Sequence, residues 1–474
     1  MSFASGRSRW PDVWLATAAR GISSCGDFLA ASTLTLALQS AGAGGPAVAG
    51  LLIAASLPLV ALAPLTGRLA DRVDSRTLLV AAGVVQAAIC LALAYAGHPA
   101  LVIGLVALLA AGLAVTQPVL AALVPAMVTP GDLPRASALN QTAGTLGALA
   151  GPALAGLLVG QFGTRVPLLL DAVSYLALVA AGLLIRTRRG GARPATKPRP
   201  ATKPRQATKP RPAVKSRPTV KPRPAADAHP TPAPDGPTRG WRLRPDRLLF
   251  AMVASLAGVV GAVGAINVIE VFFIRETLGS STTVYGLVTG AWPLGIVAGA
   301  WALAPLTRRL TDDGRLLGVG LLLLGGCCLA VLCSAAVPSA WLLVPIWLLG
   351  GLLNGGNNVV SNVLLARRVP EAARGRAYAV LGAAVQGAGM VGLAVGGLLL
   401  DLADPRPLVA ACGTVGLLAV AAFAVPVLRA ARADRATDRA TGQVAERAVV
   451  PGAAATGGGP GQRRGAARAA GSTP

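Results

Sequence analysis

Four ionisable side chains lie within long stretches of the sequence that otherwise carry almost no charge. Arg20 and Asp27 are seven positions apart in the first stretch, Asp171 lies in the sixth, and Glu270 lies in the seventh. If these stretches are helices in a membrane, each such group must face a cavity or a partner, because charge is costly in lipid. A carboxyl group that faces a cavity can bind and release a proton or hold a positive charge. Asp27 and Glu270 are therefore candidates for proton coupling or substrate binding, and the alternative for Asp27 is an ion pair with Arg20.

The remaining polar candidates are amides. We assign Asn267, one turn before Glu270, and Gln117, in the fourth stretch, to the same polar pocket. The tenth stretch adds a group at helical spacing on roughly one face, namely Asn354, Asn358, Ser361 and Asn362. Buried amides need hydrogen-bond partners, so these side chains contact either a neighbouring helix or a bound molecule, and the sequence leaves both open. Asp171, towards the outer end of its stretch, is interpreted as a structural cap.

Apolar tracts of membrane-spanning length must position these groups. The chain is 54% hydrophobic and 13% charged, whereas roughly 25% of residues are charged in a soluble domain. About 20 apolar residues in a helix cross a bilayer, and in lipid the backbone groups can bond only to one another. The sequence therefore predicts an all-α polytopic membrane protein. Its twelve predicted spans are 11–40, 46–66, 75–95, 100–127, 135–161, 166–185, 248–274, 283–306, 316–336, 340–365, 372–402 and 407–428.

The net charge of +24 is unevenly distributed along the chain. Lys and Arg cluster after spans 2, 6, 8 and 10 and in the C-terminal tail, whereas the loops after odd-numbered spans hold only Arg165, Arg275 and Arg406. Cytoplasmic loops carry the excess of basic residues, so both termini are predicted to be cytoplasmic, in a protein of the plasma membrane. Topology thus accounts for the charge without nucleic acid as a partner, and anionic lipids of the inner leaflet are the expected partner of the basic segments.

The second group of six spans repeats features of the first. The sequence LAPLT occurs at 62–66 and again at 303–307, at the end of the second span of each group. We predict an N-terminal bundle (1–187), a cytoplasmic linker (188–245), a C-terminal bundle (246–430) and a disordered tail (431–474). Five basic, proline-rich hexads at 195–224 read as a charged spacer, with an SH3-type ligand as the alternative. Repeated halves are typical of transporters, whose binding sites lie between the halves near the midplane.

The repeated segment also resembles the loop signature of the major facilitator superfamily. The matching residues are Gly67, Asp71, Arg72 and Arg76, with Asp74 where the family usually has Gly, and the charges are echoed at Asp312 and Arg315. The resemblance implies a fold of two pseudo-symmetric six-helix bundles, with helices 1, 4, 7 and 10 lining a central cavity. It also implies that these charges latch a gate, and the alternative is that they only set the topology.

The fifth span carries a second resemblance, to the motif of drug–proton antiporters. The matching residues are Gly147, Gly151, Pro152 and Gly156. Small residues let helices approach closely and proline permits a bend, so the motif either shapes and seals the cavity or serves close packing alone. Across both bundles the chain is similar to the twelve-helix branch that includes enterobactin and macrolide exporters.

These resemblances imply a monomeric secondary transporter that exports a drug-like compound or secondary metabolite by proton antiport with alternating access. The alternative is a proton-coupled importer of a small metabolite; a receptor or an intramembrane enzyme is a remote one. His98 and His229 lie outside the predicted spans, and the paired acids lie in arginine-rich loops, so neither supports an enzyme. All six cysteines lie within predicted spans and read as packing residues rather than metal ligands. We expect no cofactor, and every Lys lies in the linker, which excludes an ATP-binding GxxxxGK[ST] loop.

Overall fold

The computed structural model of the chain describes residues 8–187 and 246–449, apart from positions 64, 67–68, 70–72, 130, 311 and 371–372. The predicted linker lies outside the described residues, and so does the chain beyond 449. The twelve long helices are α1 (Trp10–Ser40), α2 (Gly44–Ala61), α3 (Ser75–Leu93), α4 (Pro99–Met127), α5 (Leu133–Phe162), α6 (Arg165–Leu184), α7 (Arg247–Thr277), α8 (Thr282–Arg309), α9 (Asp313–Ser334), α10 (Leu343–Arg368), α11 (Arg374–Leu399) and α12 (Pro405–Val449). Within these ranges no strand occurs, and the predicted all-α fold is confirmed.

Eleven of the described helices are long and apolar enough to cross a membrane. The exception, α10, is less apolar because it contains four asparagines and ends with Arg367 and Arg368. Each predicted span coincides with one helix, and the largest difference is at the end of α12. That helix continues to Val449, beyond residue 431, where the predicted tail begins. The segment is rich in alanine, which has the highest intrinsic helix propensity of the amino acids.

Aspartate side chains begin the third helix of each half in the same way. Asp74 accepts hydrogen bonds from the backbone N–H groups of Arg76 and Thr77, at 3.0 and 3.3 Å. Asp312 accepts one from Arg315 N at 3.1 Å. Both residues precede their helices with extended backbone rather than the left-handed conformation that glycine favours. The Asp at position 74 therefore acts as a helix N-cap, because its carboxylate satisfies N–H groups that have no partner within the helix.

The helices pack as two bundles that meet along two contacts. Within the N-terminal bundle, α1 packs against α5 and α6, and α3 against α4 and α6; within the C-terminal bundle, α8 and α9 pack against α10, and α7 against α11 and α12. Between the bundles, α5 packs against α8 and α2 against α11. In each contact the second helix of one half (α2 or α8) meets the fifth helix of the other half (α11 or α5), so the repeat read from the sequence appears as a twofold-like arrangement of the interface.

Candidate functional site

A cavity of about 490 Å³ lies between the two bundles. Its wall is made by α1, α2 and α5 from the N-terminal bundle and by α7, α8, α9 and α10 from the C-terminal bundle. Most of the wall is apolar, with aromatic side chains at Phe28, Tyr285, Trp292 and Trp347. A cavity of this size and composition fits a drug-sized molecule, because such sites typically measure roughly 300–1,000 Å³ and combine apolar walls with a few polar groups.

The end of the molecule where α6 ends at Leu184 and α7 begins at Arg247 is called the linker end. The bundles pack tightly at the opposite end. There α5 meets α8 at Gly156 and Gly286, where a methyl group added at Gly156 would lie 2.9 Å from the Gly286 Cα. At the same end α2 meets α11 at Gly45 and Gly397. A hydrogen bond of 2.9 Å from Gln39 Nε2 to Glu276 Oε1 joins the ends of α1 and α7. Only glycine permits such close approach of two helix backbones, so these contacts close one end of the cavity.

The polar face of α10 leads from the cavity towards the linker end. Asn354 lines the cavity, whereas Asn358 and Asn362, one and two turns nearer the linker end, are exposed. Asn362 Nδ2 donates to Asn358 O at 2.8 Å. Since the three side chains share one face, an uncovered polar face of α10 runs from the cavity towards the linker end. Of the predicted amide group, only Asn354 belongs to the wall; Ser361 is buried instead.

A break in α7 places two predicted residues in the cavity wall. The helix is interrupted between Val263 and Ile266, where Gly264 packs against Gly392 of α11. Asn267 Nδ2 donates to Gly264 O at 3.1 Å and so satisfies a carbonyl that the break leaves without a regular helical partner. Asn267 and Glu270, three positions apart, both line the cavity. The apolar residues around Glu270, at 268–269 and 271–274, are buried and belong to the largest apolar cluster of the described residues.

Glu270 carries the only carboxyl group among the described residues that line the cavity. Within the described part of the chain, its side chain has no hydrogen bond or ion pair, and the other titratable residues of the described wall are Tyr285, Cys327 and Cys328. No Lys, Arg or His is found among those lining residues. An unpartnered carboxyl group in an apolar cavity can bind a proton or a positively charged ligand, and both would satisfy it.

Asp27 has a different environment from the one predicted. It is half-buried and accepts a hydrogen bond from the hydroxyl group of Tyr175 on α6. Asp27 and Arg20 are not among the described residues of the cavity wall, although the neighbouring Phe28 is. The structure also shows no ion pair between Arg20 and Asp27 within the described chain, so that alternative is wrong. Arg20 instead lies against Gly144 of α5.

Asp171 belongs to the interior of the N-terminal bundle rather than to a helix end. It is fully buried and accepts hydrogen bonds from Cys90 Sγ at 3.1 Å and Ser174 Oγ at 3.0 Å. The absence of a side chain at Gly26 makes room for Asp171 and Ser174 against α1. The interpretation of Asp171 as a cap is therefore wrong. Sequence reasoning missed Cys90, Ser174 and Tyr175; the only signal was the spacing of Asp171, Ser174 and Tyr175 on one face of α6.

The antiporter-like motif of α5 serves two different contacts. Gly147 and Gly151 pack against the backbone of α1, at residues 21–29. Gly156 packs against α8 of the other bundle, and Pro152 lines the cavity while its carbonyl oxygen contacts Gly286. The motif thus joins close packing within one bundle to the closed contact between bundles.

The predicted gating loop is described only in part. Gly67, Asp71 and Arg72 lie outside the described residues. In the second half, Asp312 caps α9 and forms an exposed ion pair of 3.8 Å with Arg315. Gln117, predicted for the cavity, is exposed and is absent from the described cavity wall.

Ion pairs between helices at the linker end come from residues that sequence reasoning did not select. Asp313 pairs with both Arg367 and Arg368 at 3.3 Å, and Arg368 also reaches Asp246 at 2.8 Å. These bonds tie the end of α10 to the starts of α7 and α9. The sequence signal for these ion pairs was the position of Asp313 beside the repeated loop, but the resemblance selected only Asp312 from that loop.

Two six-helix bundles around a central cavity define a polytopic membrane transporter. A sequence model described as Major Facilitator Superfamily matches residues 16–272 and 248–460, and the chain belongs to this family. The expectation of a transporter rather than an enzyme is thereby confirmed. No curated protein matches the chain.

Solved structures share the fold at low sequence identity. A point mutant of the nucleoside transporter NupG has a TM-score of 0.67 at 12% identity, covering 88% of this chain and 99% of that one. A bacterial homologue of the iron transporter ferroportin, in an inward-facing state, has a TM-score of 0.62 at 17% identity, covering 90% and 100%. A bacterial homologue of the human lysosomal transporter Spinster, inward-facing and occupied, has a TM-score of 0.60 at 14% identity, covering 90% of this chain and 96% of that one. At these identities the likeness establishes the fold alone.

Proposed function

We propose that the chain is a secondary transporter that exports a drug-like compound or secondary metabolite from the cytoplasm in exchange for protons. The observation that carries this proposal is the carboxyl group of Glu270, which has no partner among the described residues, in a cavity bordered by tight helix packing at one end and by the uncovered polar face of α10 at the accessible end. A proton and a substrate can compete for this group, and such competition couples their movements when the cavity opens to alternate sides of the membrane.

The distribution of basic residues supports a cytoplasmic position for the accessible end. The helix ends that flank the linker, Leu184 and Arg247, lie at that end, and cytoplasmic loops carry the excess of Lys and Arg. In that orientation both termini are cytoplasmic, the protein lies in the plasma membrane, and the cavity can load from the cytoplasm, as an exporter requires. The basic linker would then lie against the anionic inner leaflet.

The packing of α5 also favours export. The motif that resembles that of drug–proton antiporters supplies the inter-bundle contact at Gly156 and a wall residue at Pro152. A tight contact here limits ion leak through the closed end, and a gradient can drive a substrate only if such leak is prevented. Proton antiport by the enterobactin- and macrolide-exporter branch is the finer assignment that this motif supports.

The proposal is tested with inside-out membrane vesicles that contain the full chain. A pH gradient, acid inside, is imposed in the presence of ethidium, Nile red or fluorescein, which cover cationic, neutral and anionic dyes. We expect at least one dye to accumulate in the vesicles, to be released when nigericin collapses the gradient, and to be excluded from vesicles with the Glu270→Gln variant. Accumulation equal to that of empty-vector vesicles for all three dyes, or accumulation that survives nigericin, contradicts proton-driven export.

A further inference from the structure

We infer that the cavity selects hydrophobic organic monocations, with the charge held by Glu270 and the apolar body packed against Tyr285, Trp292 and Trp347. The inference rests on the proposed function, because it names the class of substrate for the same cavity. It goes further in two respects: it excludes anions, and it assigns charge recognition to the C-terminal bundle alone.

The charge of the wall determines which ligands can enter without an unpaired charge. Glu270 provides one negative charge, and the described lining residues include no cationic side chain to offset it. Arg20, the basic residue within α1, lies against α5 rather than on this wall. A monocation neutralises Glu270, whereas an anion would bring a second uncompensated negative charge into an apolar space. A dication would leave one of its own charges without a partner.

The hydrogen-bonding state of the wall disfavours strongly polar substrates. Four of its polar side chains already donate to backbone or neighbouring groups within the same bundle. Thr35 donates to Ala31 O at 2.9 Å, Ser334 to Ala330 O at 2.8 Å, Asn267 to Gly264 O at 3.1 Å and Thr289 to Tyr285 O. The donors that remain on the described wall for a sugar, a nucleoside or a carboxylate are those of Ser32, Tyr285, Trp292 and Asn354. Such substrates would therefore regain only part of the hydrogen bonds that they lose with water.

The aromatic side chains are held in place by their own contacts. Trp347 Nε1 donates to Ser334 Oγ at 3.1 Å. The indole of Trp292 packs against α10 where Gly350 leaves room for it, since a methyl group at Gly350 would lie 2.5 Å from the ring. Rings fixed in this way lose little conformational freedom when a ligand binds, and aromatic faces attract cations. The wall therefore suits a charged group surrounded by apolar or aromatic bulk.

The test uses three ligands of similar shape but different charge. The full chain, purified in an uncharged detergent, is titrated by calorimetry with tetraphenylphosphonium, neutral triphenylphosphine oxide and tetraphenylborate. We expect tetraphenylphosphonium to bind at least tenfold more tightly than tetraphenylborate. The Glu270→Gln substitution should weaken tetraphenylphosphonium binding at least tenfold and change triphenylphosphine oxide binding less than twofold. Asp404→Asn, at an exposed carboxylate before α12, is the matched control and should change neither.

A labelling experiment on the unmodified chain covers the case in which Glu270→Gln fails to fold. A fluorescent hydrophobic carbodiimide is reacted with the protein, and modification of Glu270 is measured by peptide mass spectrometry. Tetraphenylphosphonium should protect Glu270 and leave Asp27 and Asp171 unaffected, and tetraphenylborate should protect none of them. Equal binding of the cation and the anion, unchanged affinity in Glu270→Gln, or absence of protection overturns the inference.

The binding experiment uses no gradient, so its failure is distinct from that of the proposed function. Gradient-driven export of Nile red or fluorescein without selective binding of tetraphenylphosphonium would refute the substrate class and leave proton antiport standing. Selective binding without gradient-driven transport of any dye would refute proton antiport and leave the cation site standing.

Discussion

Gly156→Ala tests directly whether the contact between α5 and α8 keeps the closed end of the cavity closed. The added methyl group would lie 2.9 Å from both Cα and N of Gly286 and closer still to the carbonyl oxygen of Thr282. Ordinary van der Waals contact is 3.4–4 Å, so the shortfall is at least 0.5 Å. All three atoms belong to the backbone and cannot rotate away as a side chain would. The two helices must therefore separate at this end.

The expected cost follows from overpacking a tight contact, about 1–3 kcal/mol. Because the strain exists only while this end is closed, it should raise the ratio of open to closed forms by roughly 5- to 150-fold. The measurement is hydrogen–deuterium exchange of peptides covering 153–162 and 282–290, together with thermal unfolding in detergent. Gly104→Ala on α4 is the control, because no other atom lies within 4 Å of the added methyl position. If exchange in both peptides matches that control, this contact does not hold the cavity closed.

Three further substitutions or deletions test separate parts of the structure. Tyr175→Phe removes the hydroxyl group that donates to half-buried Asp27. The carboxylate left without this partner should lower the free energy of unfolding by about 1–3 kcal/mol. An unchanged melting temperature would show that water satisfies Asp27 instead. Asp313→Asn removes two inter-helix ion pairs at 3.3 Å, so the melting temperature should fall. The control is Arg315→Gln, which removes an exposed ion pair of 3.8 Å and should leave the melting temperature unchanged within error. Equal effects of the two substitutions would contradict the structural role of Asp313. Deletion of residues 195–224 should leave vesicle transport largely intact if the hexads are a spacer, and loss of transport in correctly inserted protein would reveal a binding or regulatory role.

The break in α7 shows why the two candidate carboxyl groups have different environments. Asp27 and Glu270 occupy comparable positions in the first helix of each half, and the sequence treats them alike. In the structure, α7 is interrupted at Gly264, which turns the following segment so that Glu270 lines the cavity. The first helix, α1, is continuous from Trp10 to Ser40, and Tyr175 supplies a partner for Asp27 within the bundle. Equivalent positions in a repeat can therefore have different environments once one helix is broken.

The sequence by itself determined the features that depend on local composition. The number of apolar tracts of membrane-spanning length determines the number of helices, because lipid offers the backbone no hydrogen-bond partners outside the helix. The repeated LAPLT segments mark the ends of α2 and α8, and the aspartates at 74 and 312 mark the starts of α3 and α9. Each of these properties can be read from about 20 consecutive residues.

Only the tertiary structure decided which face of each helix meets which neighbour. Gly147 and Gly156 belong to one motif, yet one packs within a bundle and the other between bundles. Asp313, next to the Asp312 that the sequence repeat selects, bonds to α10, and Tyr175 rather than Arg20 bonds to Asp27. The physical reason is that a contact depends on helix rotation and crossing, which are set by the packing of all helices together. A rotation of one residue position changes every partner on a helix without changing its composition.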